Sequence, residues 1–103
     1  MNKFSYIELA ILQMLRNSEL HGYAMSAKIQ MYSDGDLNIP AGSLYPALHK
    51  LERNKLIAST LENSSARKRR TYAITSKGLA ALEKEIESWE VIVKTMNTLF
   101  EAA

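Results

Sequence analysis

Residues 39–75 read IPAGSLYPALHKLERNKLIASTLENSSARKRRTYAIT. Within this stretch Leu44, Ala47, Leu48 and Leu51 recur at helical spacing, which predicts an amphipathic helix beginning after Ile39-Pro40, since proline suits a first helical turn. Pro46 is harmless if that helix begins near Ser43. An earlier start makes it remove one backbone bond and bend the axis. Asn54 reads as a left-handed stop. Two short β-prone runs follow, Ile57–Leu61 and Thr71–Ile74, joined by the polar residues Asn63, Ser64, Ser65 and Ala66, which together predict a hairpin. The second run is preceded by four consecutive cations, Arg67, Lys68, Arg69 and Arg70.

Outward from this stretch the chain reads mainly as helix. Tyr6, Leu9, Ala10, Ile11, Leu12, Met14 and Leu15 form a broad apolar set over residues 5–16, as expected of a helix packed mostly inside. Asn17, Ser18, His21 and Gly22 break it. Tyr23, Met25, Ala27, Ile29 and Met31 belong to a second helix that ends near Ser33-Asp34-Gly35-Asp36, a strong turn signal. The methionines Met14, Met25, Met31 and Met96 read most simply as core filler. Thr75 caps a last helix whose apolar residues Leu79, Leu82, Ile86, Trp89, Val93, Met96 and Phe100 alternate steps of three and four, a heptad seam that Ile92 and Leu99 widen. A small body can cover only part of such a helix, so a second copy of the chain is expected on the remainder, at Leu82, Ile86, Trp89, Val93, Met96 and Phe100. The reading divides the chain into a body over 1–75 and a dimerisation helix over 76–103.

Composition limits the function classes. The chain has 103 residues, 47% hydrophobic and 23% charged, and carries no cysteine, so disulfides and thiolate metal sites are excluded and a reducing cytoplasmic setting suits it. The N-terminal apolar run, interrupted by Glu8, Gln13 and Arg16, is neither a signal peptide nor a membrane span. Net charge is only +2, but it is unevenly placed. Lys50, Arg53, Lys55, Arg67, Lys68, Arg69 and Arg70 face only Glu52 and Glu62 between residues 50 and 72, whereas Glu83, Glu85, Glu87, Glu90 and Glu101 dominate the last helix. With no Gly-rich phosphate loop, no nucleophile beside a base and no metal constellation, neither an enzyme, a metal site nor a cofactor is expected. His21 reads as a turn residue and His49 as a polar group on a helix face.

Helix, hairpin and basic loop side by side make a surface suited to a DNA groove and its phosphates, the layout of a winged helix-turn-helix. Ser43, Tyr45, His49, Lys50 and Arg53 lie off the Leu44-Leu48-Leu51 stripe and can reach base edges or phosphates in a major groove. The plainer reading of that face is solvation alone. Arg67, Lys68, Arg69 and Arg70 form the wing. Alternation along a strand turns about two of the four toward DNA together, and guanidinium groups suit phosphates and narrow minor grooves. Their plainer role is a basic edge that blocks sheet-to-sheet aggregation.

The same residues resemble the PadR-type winged-helix transcriptional regulators. The resemblance lies in His21-Gly22-Tyr23, Gly42-Ser43-Leu44-Tyr45-Pro46, Leu48 with Leu51-Glu52, Leu56-Ile57, Arg69-Arg70, Tyr72, Ile74-Thr75 and Gly78, in order and at the right spacing. It covers nearly the whole chain, and the short final helix is similar to the compact branch, in which one dimerising helix follows the winged helix. Lys55 stands where the family usually has glycine, so the turn falls to Asn54 or to Lys55 itself. The resemblance implies a dimeric regulator of double-stranded DNA with inverted-repeat half-sites, a repressor, with Tyr45 reaching a phosphate through its hydroxyl. Glu87-Ser88-Trp89 is similar to the tryptophan-bearing segment of a lactococcal multidrug-binding member, whose paired tryptophans sandwich flat aromatic compounds. This implies a small aromatic effector at Trp89, flanked by Ile86 and Val93, beside the plainer role of Trp89 as a seam anchor. A winged helix used only for protein–protein interaction is the alternative reading.

Overall fold

A computed structural model describes residues 4–62 and 69–102. Helix α1 spans Tyr6–Asn17, β1 Leu20–His21, α2 Gly22–Tyr32, α3 Ala41–Arg53, β2 Ile57–Glu62, β3 Arg69–Ile74 and α4 Ser76–Ala102. The fold is mainly helical with a small antiparallel sheet, as expected. The sheet has three strands, however, in the order β1-β3-β2. The hairpin pairs Ile57 with Ile74 and Glu62 with Arg69. The additional strand β1 pairs Leu20 with Tyr72 and His21 with Thr71.

Local chemistry sets the boundaries. Ser5 caps α1 through a reciprocal box: its hydroxyl accepts the Glu8 N–H at 3.1 Å, and the Glu8 carboxylate accepts the Ser5 N–H at 2.9 Å, two otherwise unmet donors satisfied together. Helix α2 ends in a left-handed turn at Asp34 (φ 55°) and Gly35 (φ 85°), with the Gly35 N–H bonded to the Gln30 carbonyl at 2.8 Å. Helix α3 begins at Ala41, ahead of Ser43, so Pro46 lies inside it. The bond Pro46 cannot donate would have gone to the carbonyl of Gly42. Both residues are exposed, so water can take its place.

The stop of α3 falls on the second of its two candidates. Asn54 stays right-handed (φ −86°), and Lys55 is the left-handed residue (φ 63°). The Leu56 N–H bonds the Leu51 carbonyl at 3.0 Å and the Lys55 N–H bonds the Glu52 carbonyl at 3.0 Å. That pair of bonds requires the left-handed residue one place beyond the cap, a place that falls on Lys55. Leu51 and Leu56, both buried, supply the apolar contact of the motif.

The core gathers Ile11, Leu12 and Leu15 of α1, Met25 and Ile29 of α2, Leu44, Leu48 and Leu51 of α3, and Ile57 and Tyr72 of the sheet. Leu82 of α4 joins them at 1% exposure. Leu82 therefore packs within its own chain and is not available to a second copy, which corrects its assignment to the dimer seam. Helical drift carries the seam's first positions onto the body, and the uncovered part begins near Ile86. Met25 is buried as expected, whereas Met31 and Met96 stand at 60% and 39% exposure and are not core filler. Tyr6 also faces outward, while Glu8, which interrupts the apolar run, is buried.

Helix α4 is rooted by Thr75 and Gly78. The Thr75 hydroxyl accepts the Gly78 N–H at 3.0 Å, the expected cap. The same oxygen lies 2.8 Å from the Lys55 carbonyl and 3.0 Å from that of Leu56. Gly78 passes so close to α3's exit that a Cβ there would lie 2.0 Å from the Leu56 carbonyl oxygen. Of the 27 residues of α4, about 40 Å of helix, only the first part lies on the body.

Candidate nucleic-acid interface

Burial of Leu44, Leu48 and Leu51 turns the opposite side of α3 outward, and Ser43, Tyr45, His49, Lys50 and Arg53 are all exposed. They do not act as one row. Tyr45 and His49 lean toward the sheet, where they line a cleft of about 370 Å³ with Gly22, Tyr23, Tyr72, Arg69 and Arg70. Lys50 leans the other way, its Nζ 3.6 Å from the buried Glu8 carboxylate of α1. Ser43 and Arg53 have exposed side chains at the two ends of the helix.

The cleft is built from the sheet outward. Tyr72, on the central strand, is buried and forms its floor. Gly22 packs closely beside it: a Cβ there would lie 3.2 Å from the Tyr72 ring and 3.4 Å from Tyr45, so the Tyr72 ring would have to give by a few tenths of an ångström. His21 stacks on Tyr23 with centroids 5.4 Å apart and planes 8° from parallel. The Arg69 guanidinium lies 5.8 Å from the centroid of the Tyr23 ring, within the range of cation–π attraction. His21 Nδ1 is 3.1 Å from the Thr71 hydroxyl, so the short strand β1 fixes where Tyr23 stands. Arg70 Nη1 donates to Ser59 Oγ at 2.9 Å. Burial pushes the Tyr72 phenol above its ordinary value of 10.0, and the negative charge of Glu52 adds to the effect, while Arg70 opposes it and Tyr45 reinforces it.

Arg69 and Arg70 are thus brought to the helix face that carries Tyr45 and His49. Arg67 and Lys68 lie outside the described residues, as does the connection at residues 63–66. Tyr23, which stacks beneath Arg69, reads from its spacing only as a helix residue; its signal is the His21-Gly22-Tyr23 triplet. Among the described residues no group of histidines and carboxylates could hold a metal ion, and no helix is long and apolar enough to cross a membrane.

A second, apolar groove of about 300 Å³ runs between α1 and α4. Tyr6, Leu9, Ala10, Gln13, Leu82, Ile86 and Trp89 line it. Ile86 and Trp89 therefore meet in one groove. Val93 lies a turn further on, beside Trp89 in a shallower, more polar cleft with Lys94, Asn97 and Glu101. Trp89 is 45% exposed, and Val93, Met96 and Phe100 continue an uncovered apolar strip toward the helix end.

Residues 11–84 match the transcriptional regulator PadR-like family. The chain is 30% identical over 88 residues to the transcriptional regulator Rv3488 of Mycobacterium tuberculosis, covering 85% of this chain and 79% of that protein. Its fold is similar to a transcriptional regulator from Clostridium thermocellum, with a TM-score of 0.84 and 30% identity over 90% of this chain and 88% of that one. Bacillus subtilis PadR, solved in complex with operator DNA, shares the fold at a TM-score of 0.71 and 23% identity, over 78% of this chain and 46% of that one. With residues 11–84 matching the family and its helices and sheet in the same framework, this chain belongs to the PadR-like family of transcriptional regulators.

Proposed function

We propose that this regulator binds double-stranded DNA as a homodimer and represses transcription from inverted-repeat operators. Helix α3 enters a major groove, where Ser43, His49 and Arg53 face bases and phosphates and Lys50 exchanges its Glu8 partner for a phosphate, while Arg69 and Arg70, continued by Arg67 and Lys68, hold the backbone alongside. The observation that carries this reading is the cleft itself. Its lining joins Tyr45 and His49 of the reading face of α3 to the wing arginines Arg69 and Arg70 and to Tyr23 and Tyr72, and contains no carboxylate. Such a surface offers hydrogen-bond donors and positive charge to a phosphate. The solved operator complex of Bacillus subtilis PadR lends support from within the fold.

The DNA-binding unit corresponds to residues 1–75 and the dimerising helix to 76–103, although the start of α4 shares the body's core. A second copy would cover the apolar strip from Ile86 through Trp89, Val93 and Met96 to Phe100. It would set two copies of α3 about one helical turn of DNA apart. Two Trp89 rings brought near the dimer axis would make a stacking site for a planar aromatic effector, flanked by Ile86 and Val93, that releases the repressor.

Gel-shift titration of the full chain against an enriched operator and a random duplex tests the DNA reading. Binding should weaken steeply with salt, and Arg69→Ala with Arg70→Ala should lower the logarithmic salt slope by about one for each phosphate no longer neutralised. No shift on any duplex at low salt would refute it and favour a protein-interaction module. Quenching of the sole tryptophan by planar dyes tests the effector site.

A further inference from the structure

Behind the cation-rich cleft stands a carboxylate with no obvious business near phosphates. Glu52 lies on α3 three positions after His49, half-buried on the flank turned to the sheet. Its Oε2 accepts a hydrogen bond from the Ser59 hydroxyl of β2 at 2.5 Å. The Ser59 oxygen in turn accepts from Arg70 Nη1 of β3 at 2.9 Å. Among the described residues Glu52 and Arg70 make no direct ion pair; the hydroxyl stands between them.

The polarity of this relay is fixed. A guanidinium can only donate and an ionised carboxylate can only accept. The one Ser59 proton must therefore point to Glu52, leaving the oxygen's lone pairs for Arg70. Each link comes from a different element, and Ser59 pairs with Tyr72 across the sheet, so the relay sits where hairpin and reading helix join. An arginine on an exposed strand samples many rotamers. Once held at Nη1, it presents its remaining donors in one direction. A negative charge placed here lowers attraction for phosphates in general, which is understandable if it is retained for orientation.

We infer that Glu52 and Ser59 are positioning residues that fix Arg70 relative to α3, so that the arginine favours the operator's backbone geometry over DNA at large. The inference rests on the DNA-binding reading above. The experiment compares the full chain with its Ser59→Ala, Ser59→Thr and Glu52→Gln variants. Each is titrated against the duplex enriched from a random pool by the wild type and against a random duplex of equal length. Thermal unfolding is recorded for each.

Ser59→Ala should lose about five- to tenfold in operator affinity, the range of one hydrogen bond, with the random duplex and the salt slope unchanged. Ser59→Thr keeps the hydroxyl and should restore the operator preference. Glu52→Gln should bind random DNA as tightly as the wild type or more tightly, yet discriminate less. The inference is overturned if Ser59→Ala keeps the wild-type operator-to-random ratio. It is equally overturned if Ser59→Thr fails as Ser59→Ala does, or if the loss only tracks a fall in thermal stability. A wild type that binds neither duplex overturns the DNA reading and this inference with it, whereas binding with an unchanged ratio overturns this inference alone.

Discussion

Two residues at the α3–β2 turn, Lys55 within it and Gly78 packed against it from α4, have opposite relations to their backbone. Lys55 holds φ 63°, a conformation that costs a residue with a Cβ about 1–2 kcal/mol. Lys55→Gly should remove that strain, less the roughly 0.5–1 kcal/mol of extra chain entropy glycine loses on folding. A net gain of about 0.5–1 kcal/mol in urea unfolding is expected. Gly78 is the reverse case. Alanine is ordinarily the better helix former, but here its methyl would meet the Leu56 carbonyl oxygen at 2.0 Å, and backbone cannot rotate aside as a side chain can. Gly78→Ala should cost about 2–3 kcal/mol net of its higher helix propensity and lower the melting temperature by roughly 10–15 °C. The sequence showed that a turn lies at residues 54–55. It did not show which residue is left-handed, because residue preference favours Asn54 while the hydrogen bonds that close α3 demand the next position.

At the scale of elements, β3 joins the fold to the cleft. Its Tyr72 is buried between the other two strands, with Glu52 and Arg70 acting on its phenol from outside. Because the folded chain raises the Tyr72 value, the neutral phenol stabilises the native state. That contribution is fully present below pH 10, the ordinary value, and is lost as pH rises through the higher folded one. Tyr72→Phe should therefore show a flatter alkaline decline in stability than the wild type, measured by urea melts on either side of about pH 10. Helices α1, α3 and α4 and the hairpin were legible because each carries enough residues for its apolar period to show, whereas the apolar residues of α2 recur at steps of two and that helix was marked by the breaks on either side of it. Strand β1 was not: two residues have no period, and Leu20-His21 becomes a strand only because the free edge of β3 lies beside it. The cleft was legible by halves. Tyr45, His49, Arg69 and Arg70 stood out by charge and spacing, whereas the hydrogen bond between Ser59 and Glu52 spans seven positions and two elements and leaves no local trace. Lys50 was legible as a cation on the exposed face, but its approach to Glu8 arises only when α1 packs beside α3.

The whole molecule is elongated, with principal extents of 60 × 28 × 22 Å, because the later turns of α4 leave the body. In the proposed dimer that free end is the seam. Val93→Glu places a carboxylate on its strip at a residue that is 41% exposed and outside the core, so the body should fold unchanged. Two unpaired charges buried at a twofold axis should weaken dimerisation by at least about a hundredfold, read by sedimentation equilibrium. Retention of the wild-type dimer constant would place the seam elsewhere. The root of α4 carries a mechanical consequence. Thr75 is hydrogen-bonded to the exit of α3, Gly78 is wedged against the same carbonyl, and Leu82 is sunk among the body's side chains, which leaves no hinge where the long helix departs. Anything that tilts its far end must swing the body as one piece, and over a rod of this length a slight pivot at the tip becomes a large sideways travel of the arginines.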